Sequence, residues 1–216
     1  MRDNFHADLD ALNGQLVAMS RSVADAMRTA SAALVDFDPD RADAVIAGDS
    51  DINALQFGVD DRVLEIMTRR QPVASDLRFM LSCIRITTDL ERMGDMASHV
   101  AKLARRVASN GALTQTVPIF RSMAAAAGRI ADKTTQILAT RDQLDATQLD
   151  LDDDEMDALY ARLLGELASG WEHGAEAAVD VAMLGRSYER YSDHAVRIGH
   201  QVVYLVTGDI HLDRPQ

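Results

Sequence analysis

The 216-residue chain has 47% hydrophobic residues, ample for a core, and a formal net charge of −12 from 34 acidic and 22 basic residues. With only two lysines, Lys102 and Lys133, it lacks the basic footprint that nucleic acid or anionic lipid requires, which argues against both as partners. The lone cysteine, Cys83, excludes an internal disulfide. No apolar run is long enough to span a bilayer and no N-terminal apolar leader is evident, so a cytoplasmic protein without membrane insertion is expected.

The only strong period along the chain is helical. Phe5, Leu9, Leu12, Leu16, Met19, Val23, Ala26, Ala30 and Leu34 alternate four and three apart, the spacing of a long helix packed in a bundle. Asp36-Phe37-Asp38-Pro39 ends it, with Asp38 able to cap and Pro39 suited to the first turn of the next helix. The second helix carries Val45, Ile52, Leu55, Val59 and Ile66 to a break at Gln71-Pro72. The third runs from about Ser75 to Ala108, and Ser109-Asn110-Gly111 stops it. Pro118 is expected to open a fourth helix through Ile119, Met123, Ala127, Ile130 and Ile137. Met156, Leu159, Leu163 and Leu167 mark a fifth, and Val181 to Leu205 a sixth that Gly208 closes. The expected fold is all-α, two tandem antiparallel three-helix bundles related by an internal repeat over residues 1–112 and 113–216.

Acidic pairs four residues apart recur at matching places. Glu91 and Asp95 on the third helix are mirrored in Asp49 and Asn53 on the second, each couple equidistant from Pro72. Glu189 and Asp193 are mirrored in Asp153 and Asp157 about His173. In an antiparallel hairpin, residues equally far from the turn lie opposite each other, so Pro72 and His173 are the predicted turn centres. Oxygen side chains from two helices should then face each other about 28 Å from each turn. A like-charged pair at this spacing costs roughly 0.2–0.5 kcal/mol, so something should compensate. A hard or carboxylate-accepting cation would do so. Asn53 is the weakest of the eight donors, and His99, four beyond Asp95, would favour a transition metal. Arg186 and Arg197 offer the second pair an ion-pair alternative, whereas Arg92 is expected to point away from the first, and His194, next to Asp193, away from the second.

Asp89-Leu90-Glu91-Arg92-Met93-Gly94-Asp95, the Arg70-to-Arg78 turn, and Glu189-Arg190-Tyr191-Ser192-Asp193-His194 with Val203 to Gly208 resemble the signatures of the phosphate uptake regulator PhoU family. The resemblance spans almost the whole chain, and Tyr191-Ser192 depart from the small apolar residues usual there. It implies two three-helix bundles whose acidic motifs bind metal (iron, Mn, Zn or Mg, singly or as clusters). It also implies a non-catalytic regulator that represses the phosphate-starvation response by linking the phosphate ABC transporter ATPase to a sensor histidine kinase, at the inner face of the membrane through those partners. The residues agree in containing no nucleotide loop, no nucleophile paired with a base and no glycine-rich phosphate cradle. Arg69, Arg70 and Arg78 form a candidate partner-facing basic patch or, read plainly, solvated surface. A metal-binding adaptor unrelated to phosphate is the alternative. A carboxylate-bridged di-metal enzyme is disfavoured because no Glu-x-x-His occurs. Metal identity and homodimer formation are left open.

Overall fold

The computed structural model describes residues 2–69, 72, 74–107, 113–169 and 171–209, with side chains from His6 onward. Six helices follow one another: α1 (Arg2–Asp36), α2 (Pro39–Arg69), α3 (Ser75–Val107), α4 (Leu113–Thr140), α5 (Gln143–Ala168) and α6 (Gly174–Thr207). No strand occurs among the described residues.

The punctuation is local chemistry. Phe37 takes a left-handed φ of 57° and stops α1, and Asp38 Oδ1 accepts the backbone N–H groups of Asp40 and Arg41 at 3.1 Å each, with Pro39 as the first residue of α2. Asp142 caps α5 in the same way through Leu144 and Asp145. Gly208, at φ 80°, returns its N–H to the Tyr204 carbonyl at 2.9 Å and ends α6. Two expectations are corrected. Pro118 does not open α4 but sits inside it, because the helix begins five residues earlier at Leu113. At the second turn of a helix the proline removes only one early backbone bond, and buried Leu113, Thr116 and Ile119 hold the segment against the core. His173 is not the middle of its turn but the N-cap residue of α6, since α5 ends at Ala168 and α6 starts at Gly174. The stop at Ser109-Asn110-Gly111 lies outside the described residues, as does the division drawn between residues 112 and 113.

The register expected about residue 173 nevertheless appears in the packing. Gly185 lies against Tyr160 and Leu163, and Gly199 against the Ala146 carbonyl and Leu149, pairs nearly equidistant from that residue. An added Cβ would stand 2.8 Å from the Ala146 oxygen, so α5 and α6 approach there as closely as a missing side chain permits. Gly94 admits Ile52 of α2 in the first half.

The helices form two layers. α2, α3, α6 and α5 lie side by side in that order, with α3 against α6 the most extensive contact, and α1 and α4 pack together across their back. The halves therefore share one core. Tyr188, fully buried on α6, donates its hydroxyl to Ser31 Oγ on α1 at 2.8 Å and tilts against the Phe120 ring on α4. Ser20 bonds Thr135, and Asn13 donates to the Leu138 carbonyl. Arg28–Asp132 joins α1 to α4, and Arg106–Asp180 joins α3 to α6. No described helix is long and apolar enough to cross a membrane.

Candidate carboxylate faces

The α2/α3 hairpin supplies the first cluster. Leu90 and Met93 are buried against the core, which leaves Glu91 and Asp95 at the rim, and Ile52 does the same for Asn53. Burial raises the Glu91 carboxyl above its ordinary range, and the negative charges of Asp95 and Asp49 add to the rise. These three are therefore within electrostatic reach of one another. Asn53 is half-buried and makes no hydrogen bond among the described residues.

One expectation about this cluster is overturned. Arg92 does not point away: its guanidinium bonds Asp95 at 3.0 Å and reaches Glu91 at 3.5 Å. The flexible stem lets an arginine one position from a carboxylate fold back along the helix, which helical spacing alone did not anticipate. His194 points away from Asp193 as expected, but toward the first cluster, where its Nδ1 meets Asp89 Oδ1 at 2.8 Å with both side chains largely buried. Protonated, His194 would hold the Glu91 carboxyl down, against the effect of burial. The pair was missed because it depends on α3 lying antiparallel to α6, a tertiary fact. Its one sequence trace is that Asp89 opens one motif and His194 closes the other. His99 is exposed.

The α5/α6 hairpin supplies the second cluster. Burial pushes the Asp153 carboxyl up to about 6; the Ser192 hydroxyl opposes the rise, while Asp193, Asp157 and Asp154 reinforce it. Glu189 is raised too, by burial first and then by Asp193, with Arg186 opposing and Asp157 and Asp153 reinforcing. Asp153, Asp157, Glu189 and Asp193 thus sense one another, although Asp157 is exposed. Arg186 pairs with Glu189, which is the expected ion-pair alternative in part. It leaves two carboxylate oxygens, Asp153 Oδ1 and Glu189 Oε2, buried without a hydrogen-bond partner. Ser192 stands where the first repeat has Gly94, so the second site carries a hydroxyl where the first brings α2 close.

Among the described residues no three histidine, cysteine or acidic side chains stand in an arrangement that would hold a metal ion. The donor chemistry still suits a hard cation. Orphaned, desolvated carboxylate oxygens are costly until a positive charge or donor reaches them. The second cluster has two such atoms, and the first is partly neutralised by Arg92.

Asp153 gives a pH prediction. Its folded value of about 6 exceeds the ordinary 3.8, so the folded state binds the extra proton and stability falls as pH rises through that window. Because the group is half-exposed, the effect is discounted for solvent screening to about 1–2 kcal/mol. In a metal-free buffer, Asp153→Asn should be more stable than the parent at pH 7.5, and the advantage should vanish near pH 4. An advantage that does not change with pH would contradict the assignment.

Of the three arginines, Arg69 and Arg78 make separate contacts. Arg69 is exposed and paired with Glu65 at 2.6 Å. Arg78 turns inward, its guanidinium 5.8 Å from the Tyr204 ring centre and against Gly208 at the end of α6. There its positive charge lies at the negative end of the α6 dipole. Arg70 lies outside the described residues.

Six helices in two repeats, each repeat setting carboxylates of its second and third helices at the rim of a shared core, define a two-repeat helical protein with twin acidic faces. Residues 16–104 and 120–202 each match the family model of the PhoU domain, and the chain belongs to the PhoU family. The phosphate-specific transport system accessory protein PhoU homolog 1 of Mycobacterium tuberculosis is 38% identical over 210 residues, covering 96% of this chain and 95% of that protein. The corresponding PhoU homolog of Pseudomonas aeruginosa is 31% identical over 207 residues, covering 94% and 86%. Among solved structures, PhoU from Pseudomonas aeruginosa superposes with a TM-score of 0.89 at 31% identity, over 95% of this chain and 100% of that one. The regulatory protein PhoU from Streptococcus pneumoniae superposes with a TM-score of 0.87 over 95% and 98%; at 22% identity it speaks for the fold alone.

Proposed function

We propose that this protein is a non-catalytic regulator of phosphate uptake. It keeps the phosphate-starvation response off when phosphate is plentiful by linking the ATPase of a phosphate ABC transporter to a sensor histidine kinase. Family membership supports the coarser role in regulating phosphate transport. The observation that carries the finer reading is the pair of carboxylate faces, one per repeat, built on one two-layer body. Such a body transmits state by contact, since nothing in its sequence supplies a nucleotide cradle or an activated nucleophile. Affinity isolation from cells grown with and without phosphate tests it. Recovery of the transporter ATPase and the kinase, changing with phosphate supply, is the expected result; recovery of neither would contradict it.

In the same reading the faces hold metal. Asp153, Asp157, Glu189 and Asp193 would hold one ion or cluster, and Asp49, Asn53, Glu91 and Asp95 another. A bound cation would supply the positive charge that offsets carboxylate repulsion. The chain's own part is to fix those donors on four long helices at a rim open to solvent on one side.

A cation that binds only the folded state should stabilise it by mass action, by about 2.7 kcal/mol at one hundred times its dissociation constant, and so raise the melting temperature. Melting with Mn²⁺, iron, Zn²⁺ or Mg²⁺ should show this shift for at least one ion. Glu189→Gln combined with Asp153→Asn should abolish the second site's share. No shift with any ion would leave the clusters as ion-pair ladders.

A further inference from the structure

The outward face of α2 and α3, between the Pro72 turn and the first carboxylate cluster, carries apolar side chains that no described helix covers. On α3, Leu77, Leu81 and Ile84 are spaced four and three apart, the period of one helix face, and remain 36%, 45% and 38% exposed. On α2, Leu64 and Met67 are 64% and 36% exposed. The α2/α3 hairpin, with its turn near residue 72 and Ile52 against Gly94, brings Leu64 and Met67 to within a residue or two of the heights of Leu81 and Leu77, so exposed apolar side chains of two neighbouring helices flank the α2/α3 seam at one end of the hairpin. A contiguous apolar surface of this kind marks an interaction site more often than a scattering of single residues does.

An acidic residue stands in the same seam. Asp60 lies one helical turn before Leu64 and level with Ile84, and its Oδ1 is buried without a hydrogen-bond partner. Burial, and then the charge of Asp61, raises its carboxyl above the ordinary range. A carboxylate oxygen removed from water in this way is a cost that an incoming cationic donor would relieve. The corresponding residue of the second repeat, 104 positions on, is Leu164, so the acid within an apolar seam is particular to the first half.

We propose that this seam docks an amphipathic helix of a partner protein, its apolar face laid over Leu64, Leu77, Leu81 and Ile84 and one lysine or arginine set against Asp60. Residues at helical spacing on a partner match the length and straightness of the seam, as in other helix-in-groove recognition. Charge selects the occupant. A second copy of this chain would bring a body of net charge −12 against another, and an anionic lipid surface would be repelled in the same way. The surface stands whether or not the carboxylate faces hold metal, and whether or not the partner serves phosphate transport.

The full chain, with Leu81 replaced by the photoreactive residue p-benzoylphenylalanine and illuminated in the cells that natively carry it, tests the seam. The crosslinked peptide, read by mass spectrometry, should come from another protein. It should show apolar residues three and four apart together with a lysine or arginine. Adding Asp60→Lys should lower the yield at least about tenfold, as loss of a desolvated charge pair does. Asp60→Asn, close in shape, should lower it less and covers the case in which the lysine variant does not fold. The photoreactive residue at exposed Leu151 on α5 should not yield the same adduct. Failure to crosslink, adducts only to lipid or to a second copy, a peptide without that pattern, or a yield indifferent to both Asp60 variants would overturn the proposal.

Discussion

Cells whose only copy of the protein carries alanine at Glu91, Asp95, Glu189 and Asp193 are expected to express phosphate-starvation genes in phosphate-rich medium, as cells lacking the protein would. The substitutions should spare the fold. All four lie beside, and not within, the apolar stripe, and each pair gives up a like-charge repulsion of roughly 0.2–0.5 kcal/mol. Against this stand the lost pairs Arg92–Asp95 and Arg186–Glu189, exposed on the arginine side and worth about 0–1 kcal/mol each. Removing Glu189 also removes a buried oxygen without a partner. Reporter expression, protein level and helical circular dichroism measured together check the outcome. Normal repression by a folded variant would show that the acidic faces take no part in regulation and would direct attention to other surfaces.

Tyr188→Ala should be the most damaging single truncation. The ring is fully buried where α6 meets α1 and α4, with its hydroxyl on Ser31 and its face beside Phe120. Loss of such a side chain costs about 3–5 kcal/mol through lost burial and the cavity left behind. That is a large part of the roughly 5–15 kcal/mol by which domains are stable. At this chain length the melting temperature should fall by about 10 °C. Tyr188→Phe, which keeps the ring and orphans only Ser31, should cost about 1 kcal/mol. Because the contact spans both repeats, the Ala variant should still melt in one transition at the lower temperature. Two separated transitions, only one of them shifted, would mean that the halves fold independently.

The parts of the fold readable in the sequence are those with local causes. The four-three stripe of Leu12 to Leu34 has a single physical meaning, and Asp38-Pro39 states a helix start in two residues. The hairpin register was legible because distance from a turn fixes which residues of an antiparallel pair stand level, and Gly185 and Gly199 mark that register in the packing. Pro118 was misread because a proline tolerated near a helix start resembles one at the start. What the sequence left hidden depends on how the repeats lie together. Antiparallel packing of α3 on α6 creates the Asp89–His194 and Arg106–Asp180 pairs and turns Arg78 from a surface residue into a contact of the α6 terminus. None of these has a periodic signature. At the candidate sites, residue type and spacing indicated the carboxylates, but not the rotamer that brings Arg92 back over Glu91 and Asp95.

The central claim is that the chain represses the response to phosphate starvation, and deletion with complementation tests it most directly. In phosphate-rich medium a phosphate-starvation reporter should be on in cells lacking the gene, and off again when the parent chain is restored from a plasmid. A reporter that stays off in the deletion strain, or stays on after restoration of a folded and accumulating protein, would contradict the account.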